Sequence, residues 1–310
     1  AYLRPETAQG IFINFANILS TTRRKLPFGI AQVGKSFRNE ITPGNFILRT
    51  REFEQMEMEY FCHPEKAPGF VDDWVENYMD WLTGIGISKE NLDLYEVPED
   101  ELAHYSVRTV DVMYRYFPER EDESKQWDEL MGIANRTDFD TKAHSKKSVD
   151  EDGNQLNSDS TDDLSYHDPY TNKRFYPYVV EPAIGVNRTL LAVLMDAYTE
   201  KEDRVVLKLT HGLAPIKVAV LPLKKNKEEI VSLAKKIKKD LTKDMRAVYD
   251  DTGSIGKLYA RQDEVGTPFC VTVDFDSLDD QTVTVRDRDT WEQDRVSVDK
   301  LKDYLQDRLD

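Results

Sequence analysis

The chain has 310 residues, of which 39% are hydrophobic and 32% charged, and its formal net charge is −16; this is the profile of a globular protein long enough for two domains. No run has the uncharged apolar length that a membrane span needs. The two cysteines, Cys62 and Cys270, lie too far apart to form a CxxC pair, so neither a disulfide framework nor a zinc site is expected and a reducing compartment is the default.

The chain begins at Ala1 with neither an initiator Met nor a leader pattern, and it reads as a fragment of a longer protein. Over residues 6–20, Ala8, Ile11, Phe12, Phe15, Ile18 and Leu19 recur at helical spacing and predict a helix packed on a core. Residues 29–36, "GIAQVGKS", then spell the phosphate-loop pattern G-x-x-x-x-G-K-[ST]. That motif requires a helix starting at its Lys. Here the chain shows no helical period after Lys35 and runs into Pro43-Gly44, a turn signal. The expectation is a β-hairpin, with strands over 28–40 and 47–62 and a tip near 43–44, and the phosphate-loop spelling is a coincidence inside a strand.

Further elements follow in order. An amphipathic helix is predicted over 70–83 through Phe70, Trp74, Tyr78, Trp81 and Leu82, then a strand over 107–118. Residues 145–173 are polar and acidic and read as a mobile excursion or long hairpin. A strand over 174–182 and a helix over 188–200 close the first part. From about 214 the pattern alternates: strand 216–223, helix 226–243, strand 245–251, helix 254–264, strand 269–275, strands 281–287 and 293–298, and a last helix. Such alternation predicts a compact α/β domain on a mixed sheet.

Charge is unevenly placed. Residues 1–212 carry 24 Lys+Arg against 38 Asp+Glu, whereas residues 213–310 carry 18 against 20. The second part concentrates its cations in "KKNKEEIVSLAKKIKKDLTKDMR", a helix compatible with RNA contact at selected points.

The hairpin carries the chemistry. Alternate side chains of a strand share a face, which sets Arg49, Arg51, Phe53, Gln55, Glu57 and Glu59 on one side and Thr50, Glu52, Glu54, Met56, Met58 and Tyr60 on the other. On the partner strand Arg38 and Glu40 go together, with Phe37 and Asn39 opposite. Cations thus collect near the turn and anions toward the far end, as a ligand pair with one anionic and one cationic end would require.

"FRNE", a short loop and "RTREFEQME" resemble motif 2 of class II aminoacyl-tRNA synthetases, and "EPAIGVNR" before an apolar helix resembles their motif 3. With "LRPETAQGIFINF", "WDELMGIANRTDFD" and "HGLAPIKVAVLPL" the chain is similar over nearly its whole length to the dimeric glycyl-tRNA synthetase family. The resemblance implies an α+β catalytic domain on an antiparallel sheet over 1–212, lacking the upstream motif 1, and an α/β anticodon-binding domain over 213–310. It implies ATP-dependent attachment of glycine to tRNA(Gly), with Mg²⁺ and no zinc, in a cytoplasmic homodimer without membrane or DNA partners.

Carried onto this sequence, the family's ATP site implies Arg38, Asn39, Glu40, Leu48, Arg49, Arg51, Phe53, Glu129, Leu130, Gly185, Val186, Asn187 and Arg188. Arg38 and Arg188 serve as catalytic arginines, and Glu129 meets the ATP-bound metal. The glycine pocket implies Glu6, Phe53, Glu54, Gln55, Met56, Glu57, Glu181, Pro182, Ala183, Ile184 and Gly185. Ala183 stands where the family commonly has Ser, which predicts weaker glycine binding, and Asn187 replaces a frequent Asp. Lys257, Arg261, Arg286 and Arg288 are candidate RNA contacts. The five histidines, at 63, 104, 144, 167 and 211, are scattered and read as structural. Two rival readings are a non-catalytic synthetase-like nucleic-acid-binding protein and a class II synthetase for another amino acid.

Overall fold

The computed structural model describes residues 2–146, 153–154, 159–201 and 204–309. The chain divides into two compact units, Ala1–Thr83 with Ser88–Ala192, and Gly84–Ile87 with Val193–Asp310. The 212/213 boundary expected from the sequence falls inside the second unit. Among the described residues no helix is long and apolar enough to cross a membrane.

The first unit opens with α1 (Ala8–Thr22), then β1 (Phe28–Phe37) and β2 (Glu52–Cys62). Helix α2 (Ala67–Gly84) precedes β3 (Leu92–Glu96), β4 (Arg108–Tyr114), β5 (Asp128–Thr137) and the short α3 (Phe139–Ala143). A small ladder pairs β6 (Tyr166–His167) with β7 (Arg174–Phe175), before β8 (Tyr178–Gly185) and α4 (Val186–Ala197). Six strands make one antiparallel sheet in the order β1-β2-β8-β5-β4-β3. Of the polar excursion at 145–173, residues 147–152 and 155–158 lie outside the described residues.

The two faces of the β1–β2 hairpin have different fates. Phe61 packs with Ala8, Ile11, Phe12 and Phe15 of α1 and with Phe28 and Val179. On the opposite face Tyr60 meets the ring edges of Phe70 and Trp74 from α2 at 5.1 and 5.5 Å. Because side chains alternate along β2, the face that carries Phe61 also carries Glu59, Glu57, Gln55 and Phe53. The same face therefore runs from apolar core into acid and out to a cleft. Lys35 lies inside β1, paired in register with Glu54 and bonded to Glu52. No helix begins there, so no phosphate loop exists.

Strand β1 ends at Phe37 and β2 begins at Glu52, so the strands are shorter and the connection longer than the predicted tip at 43–44. Its only ladder contact is an isolated bridge between Gly44 and Arg49. The helix predicted over 188–200 ends at Ala197, since Tyr198–Lys201 forms β9, paired with β10 (Arg204–Leu207).

The second unit follows the predicted alternation. It comprises β11 (Val218–Pro222), α5 (Glu228–Leu241), β12 (Ala247–Tyr249), α6 (Ile255–Glu264), β13 (Phe269–Val273), the short α7 (Asp276–Asp280), β14 (Thr282–Asp287), β15 (Gln293–Ser297) and α8 (Leu301–Leu309). The sheet order is β12-β11-β13-β14-β15. The first three strands run parallel and the last two antiparallel, making a mixed sheet. All residues of β11 and β13 are buried, as strands covered on both faces must be. Val218, Val220 and Val271 join Ile230, Ala234, Ile237 and Leu241 of α5 on one side. Ala219, Leu221 and Cys270 pack with Leu258 of α6 on the other. Cys62 and Cys270 are both free and buried, and burial pushes each thiol up to about 12.

Candidate active site

One cleft of about 540 Å³ opens on the α1 face of the six-stranded sheet, a size typical of small-molecule sites. Its floor is hollow because the strands beneath it carry small residues. Ala183 on β8 and Gly132 and Ala134 on β5 line the cavity, and register pairs Gly132 with Ala183 and Glu57 with Ala183. A larger side chain at Gly132 would press on Asp111, whose Oδ1 lies 3.0 Å from where its Cβ would stand.

Arginines and an aromatic ring gather at the mouth. Arg38 and Phe53 stand on the same side of the hairpin, with the Arg38 Cζ 5.3 Å from the Phe53 ring centroid. The Arg38 Nε donates to the Pro5 carbonyl at 3.3 Å, and its backbone N–H to Arg51 at 3.0 Å. Arg188, from the first turn of α4, clamps two other segments. Its guanidinium donates to the Leu48 carbonyl at 2.8 Å and to the Glu129 carbonyl, and it lies 3.5 Å from Asp128 Oδ1 and 3.9 Å from Glu129 Oε2. Asn187 accepts from the Glu54 N–H at 3.0 Å and ties α4 to β2.

Acids gather at the deep end. The segment before α1 runs beside β1, where the Phe37 N–H donates to the Arg4 carbonyl at 2.9 Å. That course brings Glu6 to the cavity wall and Thr7 to Glu57. Glu57 Oε2 accepts from the Thr7 N–H at 2.8 Å and from its hydroxyl. Burial raises the Glu57 pKa, against the pull of Thr7.

Glu181, on β8, accepts from Arg136, which also makes a two-pronged pair with Asp140 at 2.7 and 3.0 Å. Arg136 is buried, stacked 3.9 Å from the Tyr105 ring centroid. Burial by itself lowers the Arg136 pKa, but Asp140 and Glu181 more than reverse this. Glu181 is nonetheless pushed up to about 7, first by burial and also by Glu57. The enclosed carboxylates of Glu57 and Glu181 repel one another across the β2–β8 ladder. At an effective dielectric of about 20, two unit charges roughly 5 Å apart repel by about 3 kcal/mol.

Of the residues implied for ATP, Arg38, Glu40, Leu48, Arg49, Phe53, Glu129, Leu130, Gly185, Asn187 and Arg188 line the cleft. Asn39, Arg51 and Val186 do not. Arg51 instead closes the hairpin loop, donating to the Glu40 carbonyl at 2.9 Å. Of those implied for glycine, Glu6, Phe53, Glu54, Gln55, Glu57, Glu181, Ala183, Ile184 and Gly185 line it. Met56 and Pro182 do not: strand alternation turns each to the far face from Glu57 and Glu181.

Two candidate RNA contacts in the second unit are corrected. Arg286 and Arg288 are 4% and 3% exposed. Arg286 forms a two-pronged pair with Asp263 at 2.8 and 3.0 Å. Arg288 donates to the Gly266 and Leu209 carbonyls, both at 2.9 Å. Both guanidiniums serve the fold and face no solvent. Lys257 is exposed, and Arg261, also exposed, pairs with Asp250.

Sequence reasoning missed Arg136, Asp140, Thr7, Tyr105 and Asp111. Arg136 and Asp140 had a signal in their i, i+4 spacing across "NRTDFD". Asp111, on the cleft wall, is pushed up to about 7 by burial and by Glu129. Nothing in the local pattern of β4 marks it.

Comparison with known proteins bears on both units. Residues 1–197 match the family described as tRNA synthetase class II core domain (G, H, P, S and T), and residues 217–308 match the anticodon binding domain. The chain is 52% identical over 318 residues to a glycine–tRNA ligase of Thermobifida fusca, covering 100% of this chain and 65% of that protein. It is 53% identical over 317 residues to a glycine–tRNA ligase of Corynebacterium glutamicum, covering 99% and 65%. A glycine–tRNA ligase of Thermus thermophilus is 53% identical over 331 residues, covering 100% and 63%. The chain thus spans slightly less than two-thirds of these relatives' length.

Proposed function

We propose, from the premise that the chain belongs to the class II tRNA synthetase family, that it carries the active site of an enzyme that joins glycine to tRNA(Gly). The observation that carries this reading is the polarity of this cleft: Arg38 against the Phe53 ring at its mouth, and Glu6, Glu57 and Glu181 at its deep end. A purine stacks on Phe53, with Arg188 on its other face. The fixed fork of Arg38 suits an α-phosphate beside an amino-acid carboxylate. The acids receive the α-ammonium, and selection of glycine requires that the groups around them exclude any side chain. Steric exclusion is needed, since one extra methyl changes affinity by only about 1–3 kcal/mol.

The substrate carboxylate then attacks the α-phosphorus in line, and pyrophosphate leaves. The terminal ribose hydroxyl of the tRNA next attacks the adenylate carbonyl, and AMP leaves. The chain's own residues position the groups and stabilise charge, and no covalent enzyme intermediate is required. The carboxylate of Glu129 is half exposed at the cleft mouth, an oxygen donor suited to Mg²⁺. That ion, when bound with ATP, neutralises phosphate charge. Residues 213–310 contact the anticodon, with Lys257 and Arg261 as the cations available on α6. We place the protein in the cytoplasm and expect the full-length enzyme to be a homodimer.

Glycine-dependent exchange of pyrophosphate into ATP by the full-length protein tests this reading. Exchange with glycine alone among the twenty amino acids is expected. Exchange driven by a different amino acid shifts the assignment within the family, and none with any amino acid favours a non-catalytic relative.

A further inference from the structure

Glu59 lies beyond the cleft wall and takes no part in the chemistry above. It is nevertheless fully enclosed, at 0% exposure, and neither of its carboxylate oxygens has a hydrogen-bond partner among the described residues. The register that pairs Glu57 with Ala183 and Tyr60 with Val180 sets Glu59 across from Glu181. One oxygen each of Glu57, Glu59 and Glu181 lies within 4.8 Å of the other two.

The surroundings offer Glu59 no countercharge of its own. From β8 it faces Glu181, from β5 Arg136, from α3 Asp140 and on its own strand Glu57. Arg136 is already engaged by Glu181 and Asp140. Helix α1, which packs on this face, contains no charged residue, and β1 places Ile30 opposite Glu59. An ionised carboxylate with no donor and no cation is not tolerated in such a place. Burial, with Glu181 adding to it, holds Glu59 well above the usual carboxylate range.

We propose that Glu59 holds a proton in the free protein and releases it when an amine binds beside Glu57 and Glu181, so that the site exchanges a proton for an ammonium. The Glu59 O–H bond breaks, its electron pair stays on the carboxylate and the proton passes to solvent; no electron is transferred. The incoming ammonium supplies the countercharge that Glu59 lacks. Coupling between the two cations is reciprocal, so the proton opposes the amine as strongly as the amine opposes the proton. Glu59 is thus a positioning and charge-setting residue, and its role rests on the reading of the cleft as a glycine site.

The sign follows from linkage. The amine lowers the Glu59 pKa from its raised free value toward the ordinary carboxylate range. Between those two values binding releases a proton, and affinity rises with pH by at most tenfold per unit for one coupled proton. In the full-length protein, calorimetry of glycine binding in buffers of different ionisation enthalpy should show proton release. Release is expected to fall in Glu59→Gln to what Glu181 contributes, and to persist in full in Glu59→Asp. In pyrophosphate exchange the glycine KM should fall as pH rises through that window. In Glu59→Gln it should stay near the low-pH wild-type value, and this dependence must sit in KM rather than in kcat.

Infrared difference spectra give a second readout that needs no variant to turn over substrate. The ligand-free protein should show a protonated-carboxyl band that weakens on adding glycine and is smaller in Glu59→Gln. Equal proton release by wild type and Glu59→Gln, or a band unmoved by saturating glycine, overturns the proposal. If Glu59→Gln fails to fold, the wild-type band and Glu59→Asp decide. Failure of the folded wild type to bind glycine at all sinks the functional reading instead, while the ligand-free band still reports whether Glu59 is protonated.

Discussion

Each unit of this protein buries an arginine among carboxylates, and the two arrangements differ in balance. In the second unit Arg286 and Asp263 meet through two hydrogen bonds, Arg204 stands 3.6 Å from the same carboxylate, and the Tyr259 ring lies 4.9 Å from the Arg286 Cζ. Cations there match or exceed the acid. In the first unit Arg136 serves Glu181 and Asp140, while Glu57 and Glu59 add acid without adding a cation. A balanced buried pair is complete and belongs to the fold. An excess of carboxylates beside an open cleft is incomplete, and the missing positive charge must come from a proton or a ligand.

Three substitutions sharpen this contrast. Arg38→Ala removes a guanidinium from the cleft mouth at an exposed position, so the thermal midpoint should hold. Exchange activity should fall by about 100- to 1000-fold, the scale of one lost charge-stabilising donor. An unchanged rate would remove Arg38 from the reacting end. Asp263→Ala leaves Arg286 buried without its partner and should cost about 3–5 kcal/mol of stability, measured by denaturant unfolding. Retention of full stability would mean that the second unit's pair is not the closed structural element described here.

The smallest effect belongs to Ala183, which faces Glu57 across the β2–β8 ladder. Ala183→Ser adds a hydroxyl beside that carboxylate, and one neutral hydrogen bond contributes about 0.5–1.5 kcal/mol. The glycine KM should therefore fall roughly 2- to 12-fold, with little change in unfolding. A KM that does not move would show that the alanine costs the site nothing.

Legibility in the sequence followed the range of the interaction. Strand alternation in "RTREFEQMEME" sufficed to put Phe53, Gln55, Glu57 and Glu59 on one face, because the period of two is a local property of the backbone. The order of strands and helices after residue 214 was equally plain, since apolar periods and turn signals are local too. The hairpin loop was less so: residues 38–51 are held by Arg188 and Arg51 acting across the chain, and no local pattern announces where β1 stops.

Charge led the reading astray where burial was decided at a distance. Arg286 and Arg288 read as candidate RNA contacts, yet both are drawn inward by Asp263 and by backbone carbonyls at Gly266 and Leu209. "NRTDFD" holds an Arg and an Asp at i, i+4, but not where they go: β5 carries Arg136 into the acid cluster. A guanidinium's side-chain type states what it can bond, and only its neighbours state whether water or protein satisfies it.

By itself the sequence determined many of the elements and the polarity of the hairpin. Backbone preference and side-chain alternation act over a few residues, so they are readable from the chain. The tertiary structure alone decided which acids share one enclosure, which arginine answers them and which is left over. Those outcomes depend on the summed charge and desolvation of side chains brought together from β2, β5, β8 and α3, and no single segment contains that sum.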